Sequence, residues 1–304
     1  MRILTDAMRT SAGARRVDRE AIWAFMPVVA IVPFSLLALL IFWLPVGWLT
    51  DVSYGWFVLA FALCGLTLFV RPIQVLVLTP LLGARRPTAE EAAVIEPLWD
   101  QIARANHLPP SRYVVRVLPS EELNAFACGG HLVVVTTFAV GQLSRGQLRG
   151  VLAHELSHHL GLHTVAITIG HWLSAPVVLL ARIGFFLENV AHAAAGSFGR
   201  DSPLINAVGS VTATIINGLS WVFTAALRGS DALANLVGHG SEFEADRRAV
   251  RMGFGRELAS ALRQLLACGS GQRPIGWRAR LRASHPPART RVARIEALMR
   301  HPAN

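Results

Sequence analysis

None of the 29 basic residues is a lysine, since all are arginine, and charge of either sign is scarce: only 16% of the 304 residues are charged, against about 25% in ordinary soluble domains. With 53% hydrophobic residues and a mean hydropathy of +0.43, a fully soluble cytosolic protein is excluded. A disordered or collagen-like chain is excluded on the same grounds. Cysteine is nearly missing as well. Cys64, Cys128 and Cys268 are odd in number and contain no C-x-x-C pair, which excludes a disulfide scaffold and argues against a cysteine-held zinc. The missing lysine reads as a genome-wide preference for GC-rich arginine codons and points to a high-GC bacterium.

The net charge of +10 is unevenly spread. Five arginines, Arg2, Arg9, Arg15, Arg16 and Arg19, crowd the first twenty residues, and thirteen fall between Arg247 and Arg300 against two acids, Glu257 and Glu296. In a soluble protein such basic ends would suggest nucleic acid. In a chain this apolar they read as retention on the cytoplasmic side of a membrane beside anionic lipids, with no nucleic acid partner.

What is present in quantity is uncharged sequence. Residues 1–20 read as a basic cytoplasmic N-terminus, and Ala21–Thr50 as a first span, long enough for the roughly 30 Å hydrocarbon layer. It lacks the short h-region and A-x-A site of a cleaved signal. A second span, Val52–Val70, and a further apolar stretch complete residues 21–86. Charge and readable periodicity return in residues 87–163. Pro87-Thr88-x-x-Glu91 is a capping box opening a helix to about Ala105. Tyr113–Leu118 alternates like a strand, and Leu123–Ala127 and His131–Thr137 flank Gly129-Gly130 as a hairpin would. Ser144-x-x-Gln147 caps a helix ending near Gly161. Residues 164–228 contain two more uncharged runs, Thr164–Ala181 and Pro203–Leu227, read as a transmembrane hairpin, a pair of buried or interfacial helices being the alternative. Residues 229–304 turn polar and helical, with Ser241-x-x-Glu244 expected to cap one helix, Arg256–Cys268 to form another and Arg289–Met299 to close the chain. An even number of spans and the arginine placement put both termini and the folded domain in the cytoplasm of a multi-pass bacterial inner-membrane protein.

The chemistry concentrates in His154-Glu155-Leu156-Ser157-His158. Residues four apart share a helix face, so both imidazoles can bind one zinc while Glu155 reaches its water. A catalytic zinc takes three protein ligands. Glu242 is the best candidate for the third, with Asp246 one turn on to orient a histidine through its free ring nitrogen; the alternative for Glu242 is a charge stabilising a helix N-terminus. Eighty-four residues separate Glu242 from His158, but removing the membrane hairpin leaves a distance two helices of one small domain can close. His159 and His163 extend the histidine cluster and are expected to be mostly solvated or interfacial.

The order of these features resembles one family. Two N-terminal spans, Asn124-Ala-Phe-Ala with Gly129-Gly130, the strand His131–Thr137, His154–His158, an apolar hairpin, Glu242–Asp246, and Ser284-His285-Pro286-Pro287 with Arg291 and Arg294 are similar to the integral-membrane HtpX-like zinc metalloproteases. These are relatives of the CAAX prenyl protease and of a mitochondrial inner-membrane quality-control peptidase. The resemblance implies a fold of about four transmembrane helices plus an α+β, zincin/gluzincin-like metalloprotease domain. It also implies one Zn2+ per chain with Glu242 as third ligand, and an edge strand at Asn124, Ala125 and Phe126 on which substrate backbone pairs. Ser284 and Cys128 depart from the family's usual residues, which bears on substrate preference.

The reading is a zinc-dependent endopeptidase acting on membrane or misfolded proteins at the cytoplasmic membrane surface, in quality control and stress response. Glu155 would take a proton from the attacking water and pass it to the leaving amine. His285, or else His239, would stabilise the transition state, a structural role being the alternative for both. Two other readings are kept: a prenyl-protein-type processing protease, and a non-catalytic zinc-binding membrane scaffold. The oligomeric state is not encoded in any of these features.

Overall fold

The computed structural model describes residues 23–161, 163–198, 203–267 and 286–301. Its first helix, α1 (Met26–Leu49), carries no charge. Its 24 residues are about 36 Å long at 1.5 Å per residue, enough to cross the hydrocarbon. Pro27 sits in the first turn, where a missing N–H costs nothing.

Next come α2 (Tyr54–Thr67) and α3 (Arg71–Leu81), which meet at a bend of 87°. The second span expected over Val52–Val70 therefore does not run straight through. It stops at Thr67, and α2 alone, about 21 Å long, is too short to cross. The break has a local cause. Val70 is extended, and Pro72 in the first turn of α3 removes a donor. Gln74, fully buried, donates from Nε2 to the Leu68 carbonyl at 2.9 Å and so satisfies a group freed by the break.

The polar segment folds as expected from its caps. Thr88 and Glu91 form a reciprocal capping box on α4 (Ala89–Ala105), and Ser144 and Gln147 do the same for α6 (Arg145–Leu160). Between them lie a 3-10 turn (Pro110–Arg112), strands β1 (Val114–Leu118), β2 (Ala125–Cys128) and β3 (Leu132–Thr136), and the short α5 (Thr137–Gln142). The sheet order is β1-β3-β2, with β1 parallel and β2 antiparallel to β3, in the register Val114↔Leu132 and Ala125↔Val135. Gly129 turns the β2–β3 corner at φ +62 with Gln74 packed where a side chain would stand, so the corner needs glycine twice over.

Two long helices follow, α7 (His163–Phe198) and α8 (Pro203–Arg251), then α9 (Gly255–Ala267) and α10 (Ala288–Arg300). The helix expected to start at Ser241 has no start there. α8 is continuous across Arg228 and Gly229 and past Ser241, because no proline follows Pro203 to interrupt it. Ser241 has no free N–H groups to cap, and its hydroxyl donates back to the Gly238 carbonyl at 2.9 Å.

The chain divides into two compact units. The first comprises residues 66–168 and 235–304 with the N-terminal residues 1–24, the second residues 25–65 and 169–234. The first has one main core: Ile95, Trp99 and Ile102 of α4, Val117, Ala125, Val133 and Val135 of the sheet, and Leu148, Leu152, Leu156 and Leu160 of α6. Those four leucines recur every fourth residue and form the apolar stripe that seats α6. Gly150 lets α9 approach so closely that a Cβ would lie 2.4 Å from the Leu258 amide nitrogen. The second unit packs Ile31 and Ala38 of α1 with Val177 and Ala181 of α7 and Phe223 and Leu227 of α8.

Among the described residues three helices are long and apolar enough to cross a membrane, α1, α7 over His163–Val190 and α8 over Gly209–Ala234, or four if the bent α2–α3 pair counts as one span. The protein is a mostly helical, multi-pass membrane protein with a small mixed sheet.

Candidate metal centre

α6 is buried on nearly all sides over its last two turns, from Leu152 to Leu160, so the polar residues of His154–His158 sit inside a core. His154 and His158, one turn apart, bring their Nε2 atoms to 3.2 Å of each other. α8 presents Glu242 and Asp246, also one turn apart. Glu242 Oε2 lies 3.3 Å from His154 Nε2, and Oε1 lies 3.1 Å from His158 Nε2. A metal held at 2.0–2.1 Å by tetrahedral donors places those donors about 3.3 Å apart, and the two imidazole nitrogens, and the nearer Glu242 oxygen to each of them, lie at about that spacing. His154, His158 and Glu242 are each less than a tenth exposed.

Around this set the structure builds a support. His154 Nδ1 donates to Asp246 Oδ1 at 3.0 Å, which fixes the ring and leaves Nε2 for a ligand. Arg291, brought in by α10, grips Asp246 with two hydrogen bonds, Nε to Oδ2 at 2.9 Å and Nη2 to Oδ1 at 2.7 Å, and reaches Glu242 Oε2 with Nη1 at 3.0 Å. Its Nη2 is nearly equidistant from both nitrogens of His154, so the guanidinium lies against that ring. Sequence reasoning named Arg291 only as part of the Ser284–Arg294 element that carries the family resemblance and gave it no role, since periodicity and spacing alone do not distinguish it among the thirteen arginines of the last sixty residues.

The electrostatics follow from burial. Desolvation pushes the His154 imidazole toward its neutral form and Arg291 adds to that push, yet Asp246 and Glu242 outweigh both and hold its pKa up at about 9. Burial raises Asp246, but the hydrogen bond and charge of His154, with Arg291 behind them, hold its carboxyl below the usual range. Arg291 loses charge stabilisation on burial and more than recovers it from Glu242 and Asp246. Three buried carboxylates, Glu155, Glu242 and Asp246, thus face one buried guanidinium. The donor set and its spacing fit a metal ion.

The other expected residues fall as follows. Glu155 is buried beside His154 on α6. Ala125 and Phe126 belong to β2, at one edge of the sheet and beside α6. Asn124 leads into that strand, its N–H on Thr136 Oγ1 at 3.2 Å and its carbonyl accepting from the Thr136 N–H at 3.0 Å. The opposite edge is closed, because Arg85 exchanges both backbone hydrogen bonds with Val117 of β1. His239 falls within α8, but its side chain is outside the described ones. His285 lies outside the described residues.

The expectation for the extra histidines is corrected at His159. It is 1% exposed, donates from Nε2 to the Leu132 carbonyl at 3.0 Å and stacks on Tyr113, so it ties α6 to β3 instead of meeting solvent. His163 leans on the His158 ring at 5.4 Å between centroids and meets Ser241 Oγ at 3.2 Å.

Comparison with known proteins gives the following likenesses. The model of peptidase family M48 matches residues 89–299. A protease HtpX homolog of Salinibacter ruber is 27% identical over 230 residues, covering 71% of this chain and 78% of the relative. Another, of Moorella thermoacetica, is 29% identical over 237 residues, covering 75% and 73%. Among solved structures, S. mikatae Ste24p shares the fold with a TM-score of 0.51 at 17% identity, over 84% of this chain and 61% of that one.

Proposed function

Because the chain belongs to peptidase family M48, a family of metalloproteases, we propose that it is a zinc-dependent endopeptidase that cleaves membrane or misfolded proteins at the inner face of a bacterial cell membrane. The observation that carries this reading is the buried His154–His158–Glu242 donor set. Two imidazoles and a carboxylate are three of the four ligands of a tetrahedral zinc, the donor set of a catalytic site whose fourth ligand is water. When bound, such an ion acts as a Lewis acid on the scissile carbonyl and acidifies a water molecule.

The remaining work falls to the chain. Asp246 holds His154 in the tautomer that presents Nε2, and Arg291 balances Asp246 and Glu242 so that the centre's own carboxylates do not repel. Glu155, next to the donors and binding none of the metal, accepts the water's proton at its carboxylate and returns it to the leaving amine. β2, an edge strand of the sheet among the described residues, lies beside α6, and an extended substrate adds to it as a further strand, with Asn124, Ala125 and Phe126 setting its register. His285 or His239 supplies a donor to the developing oxyanion.

Position along the chain favours substrates at the bilayer. His158 lies five residues before His163, where the candidate span His163–Val190 begins. Anionic lipids on the cytoplasmic leaflet would hold the basic ends.

Purified full-length protein with zinc should cleave a membrane-protein substrate, whereas chelation or Glu155→Gln should stop it. Equal turnover by the Glu155→Gln protein would overturn the assignment. For the topology, reporter fusions at Asp51 should read as external and at Arg86 and Ser241 as internal; an internal Asp51 with an external Arg86 would reverse the orientation, and both external would mean that the bent α2–α3 pair does not cross.

A further inference from the structure

The short helix α3 turns two unlike faces outward from its axis. Leu78, with Leu82 just past the helix end, packs with Val114, Leu118, Leu132 and Val134 on the face of the sheet opposite the α6 core. Ile73, Leu76, Val77 and Leu81 recur at i, i+3, i+4 and i+8, the spacing of a single helix face, and all four are exposed. After α3 the chain returns along β1. Arg85 and Val117 exchange both backbone hydrogen bonds as an antiparallel bridge, so the next residues of the two segments, Arg86 and Arg116, stand opposite each other. Such non-hydrogen-bonded positions bring side chains closest together, and like charges placed there repel. No carboxylate among the described residues relieves them. Glu91, in the same segment, is taken up by Arg85 with two bonds of 2.7 and 2.8 Å. Arg116 donates from Nη1 only to the adjacent Val115 carbonyl at 3.0 Å, and its Nε is buried without a hydrogen-bond partner. Partial burial and the charge of Arg86 together hold the Arg116 guanidinium below its ordinary pKa. A like-charged pair thus stands five residues beyond Leu81, the last exposed apolar side chain of α3.

We propose that Arg86 and Arg116 hold the phosphate of an anionic phospholipid whose acyl chain lies along the exposed face of α3. Two features select this occupant together. Paired guanidinium groups suit a phosphate, whose oxygens accept from both forks at once, and the neighbouring stripe of Ile73, Leu76, Val77 and Leu81 suits a hydrocarbon chain. A free phosphate would leave that stripe in water. A zwitterionic lipid brings its own cation and relieves the arginine pair less than a headgroup with net negative charge does. The site is local, and it is separate from the general attraction of the basic chain ends for an anionic leaflet. Its consequence is that one bound lipid would brace the segment joining α3 to the sheet of the peptidase domain.

The test places full-length protein in nanodiscs of phosphatidylcholine, with and without phosphatidylglycerol, and reads the thermal midpoint and, after release into detergent, the retained lipid by mass spectrometry. The unaltered protein should retain phosphatidylglycerol in preference to phosphatidylcholine and should melt higher in its presence. Arg86→Gln/Arg116→Gln should weaken that retention about 25-fold, a factor of roughly five for each arginine beside an anionic headgroup, and should lose the rise in midpoint. In phosphatidylcholine alone the same variant should melt no lower than the unaltered protein, because the repulsion between the two guanidinium groups is gone. Arg86→Gln by itself, at an exposed position, carries the same test with a loss of roughly fivefold, so a misfolded double variant would not leave the question open. Retention undiminished in both variants overturns the proposal and assigns the preference to the basic chain ends, which both variants keep. An equal rise in midpoint on adding inorganic phosphate to phosphatidylcholine discs overturns it too, since the occupant would then be an aqueous anion. Lipid retention is read without turnover, so its failure is distinguishable from failure of the peptidase assignment.

Discussion

In the unit built on residues 66–168 and 235–304, His154, Glu155, His158, Glu242, Asp246 and Arg291 are all less than a tenth exposed, whereas in the unit of residues 25–65 and 169–234 the large side chains Phe186, Ile215 and Trp221 are about two-thirds exposed. Each inverts the usual distribution of a soluble domain, and for opposite reasons. The first unit buries charge because mutual pairing and a cation offset the desolvation. The second exposes apolar surface because its solvent is lipid. One chain therefore folds by two sets of rules, and substitutions should read out which rules hold where.

The largest expected effect is on catalysis. Glu155→Gln should lower proteolysis by about 10²–10⁴-fold, the usual worth of a positioned general base, with metal content and thermal midpoint unchanged. A fall in metal content would make Glu155 a ligand and not a base. The contrast is Glu242→Ala, which should lose bound metal and activity together. Unaltered metal content there would return Glu242 to a helix charge.

Next comes the pairing inside the first unit. Arg291→Met removes the guanidinium that faces Asp246 and Glu242, and breaking a buried ion pair by deleting one partner costs about 3–5 kcal/mol. Denaturant unfolding of the metal-free protein should show that loss, partly restored by metal, and an unchanged midpoint would mean the charges are not paired in solution.

A matched pair of truncations sharpens the comparison most directly. Leu152→Ala, in the core of the first unit, should cost about 2–5 kcal/mol. Ile31→Ala, equally buried, should cost less by roughly 2 kcal/mol, because the transfer free energy of about 0.8 kcal/mol per CH₂ vanishes where the alternative environment is as apolar as the core. Equal costs would place the second unit in water. The smallest effect belongs to Trp172→Phe, which keeps the stack on Phe61 but removes the Nε1–H bond to the Phe61 carbonyl; about 0.5–1.5 kcal/mol should be lost on unfolding from lipid.

Legibility followed the range of the interactions. The capping boxes at Thr88 and Ser144, the strand pattern around Gly129-Gly130 and the helix face shared by His154 and His158 are all set within a few residues, and each can be read along the chain. Ser241-x-x-Glu244 shows where that reading fails. A capping signature identifies residues able to start a helix, and it has no force when the preceding residues are already helical and leave no N–H groups unsatisfied. The break between α2 and α3 was only half visible. Arg71-Pro72 marks it, but the 87° bend is accompanied by a hydrogen bond that Gln74 donates to the Leu68 carbonyl just past α2, which no local pattern reveals.

The residues alone determined the class of the molecule and pointed to its candidate metal centre: too little charge for water, uncharged runs long enough for a bilayer, and two imidazoles flanking a carboxylate on one helix. Spacing also nominated Glu242 and Asp246, since residues four apart share a face whatever helix they occupy. Only the tertiary structure decided that Arg291, out of thirteen arginines, is buried against both carboxylates, and that His159 is a tie between α6 and β3. It alone left β2 as the open edge, by pairing Arg85 with Val117. These outcomes depend on contacts between segments tens to more than a hundred residues apart, where a side chain's role is set by which charge or carbonyl it meets and not by its neighbours in the chain.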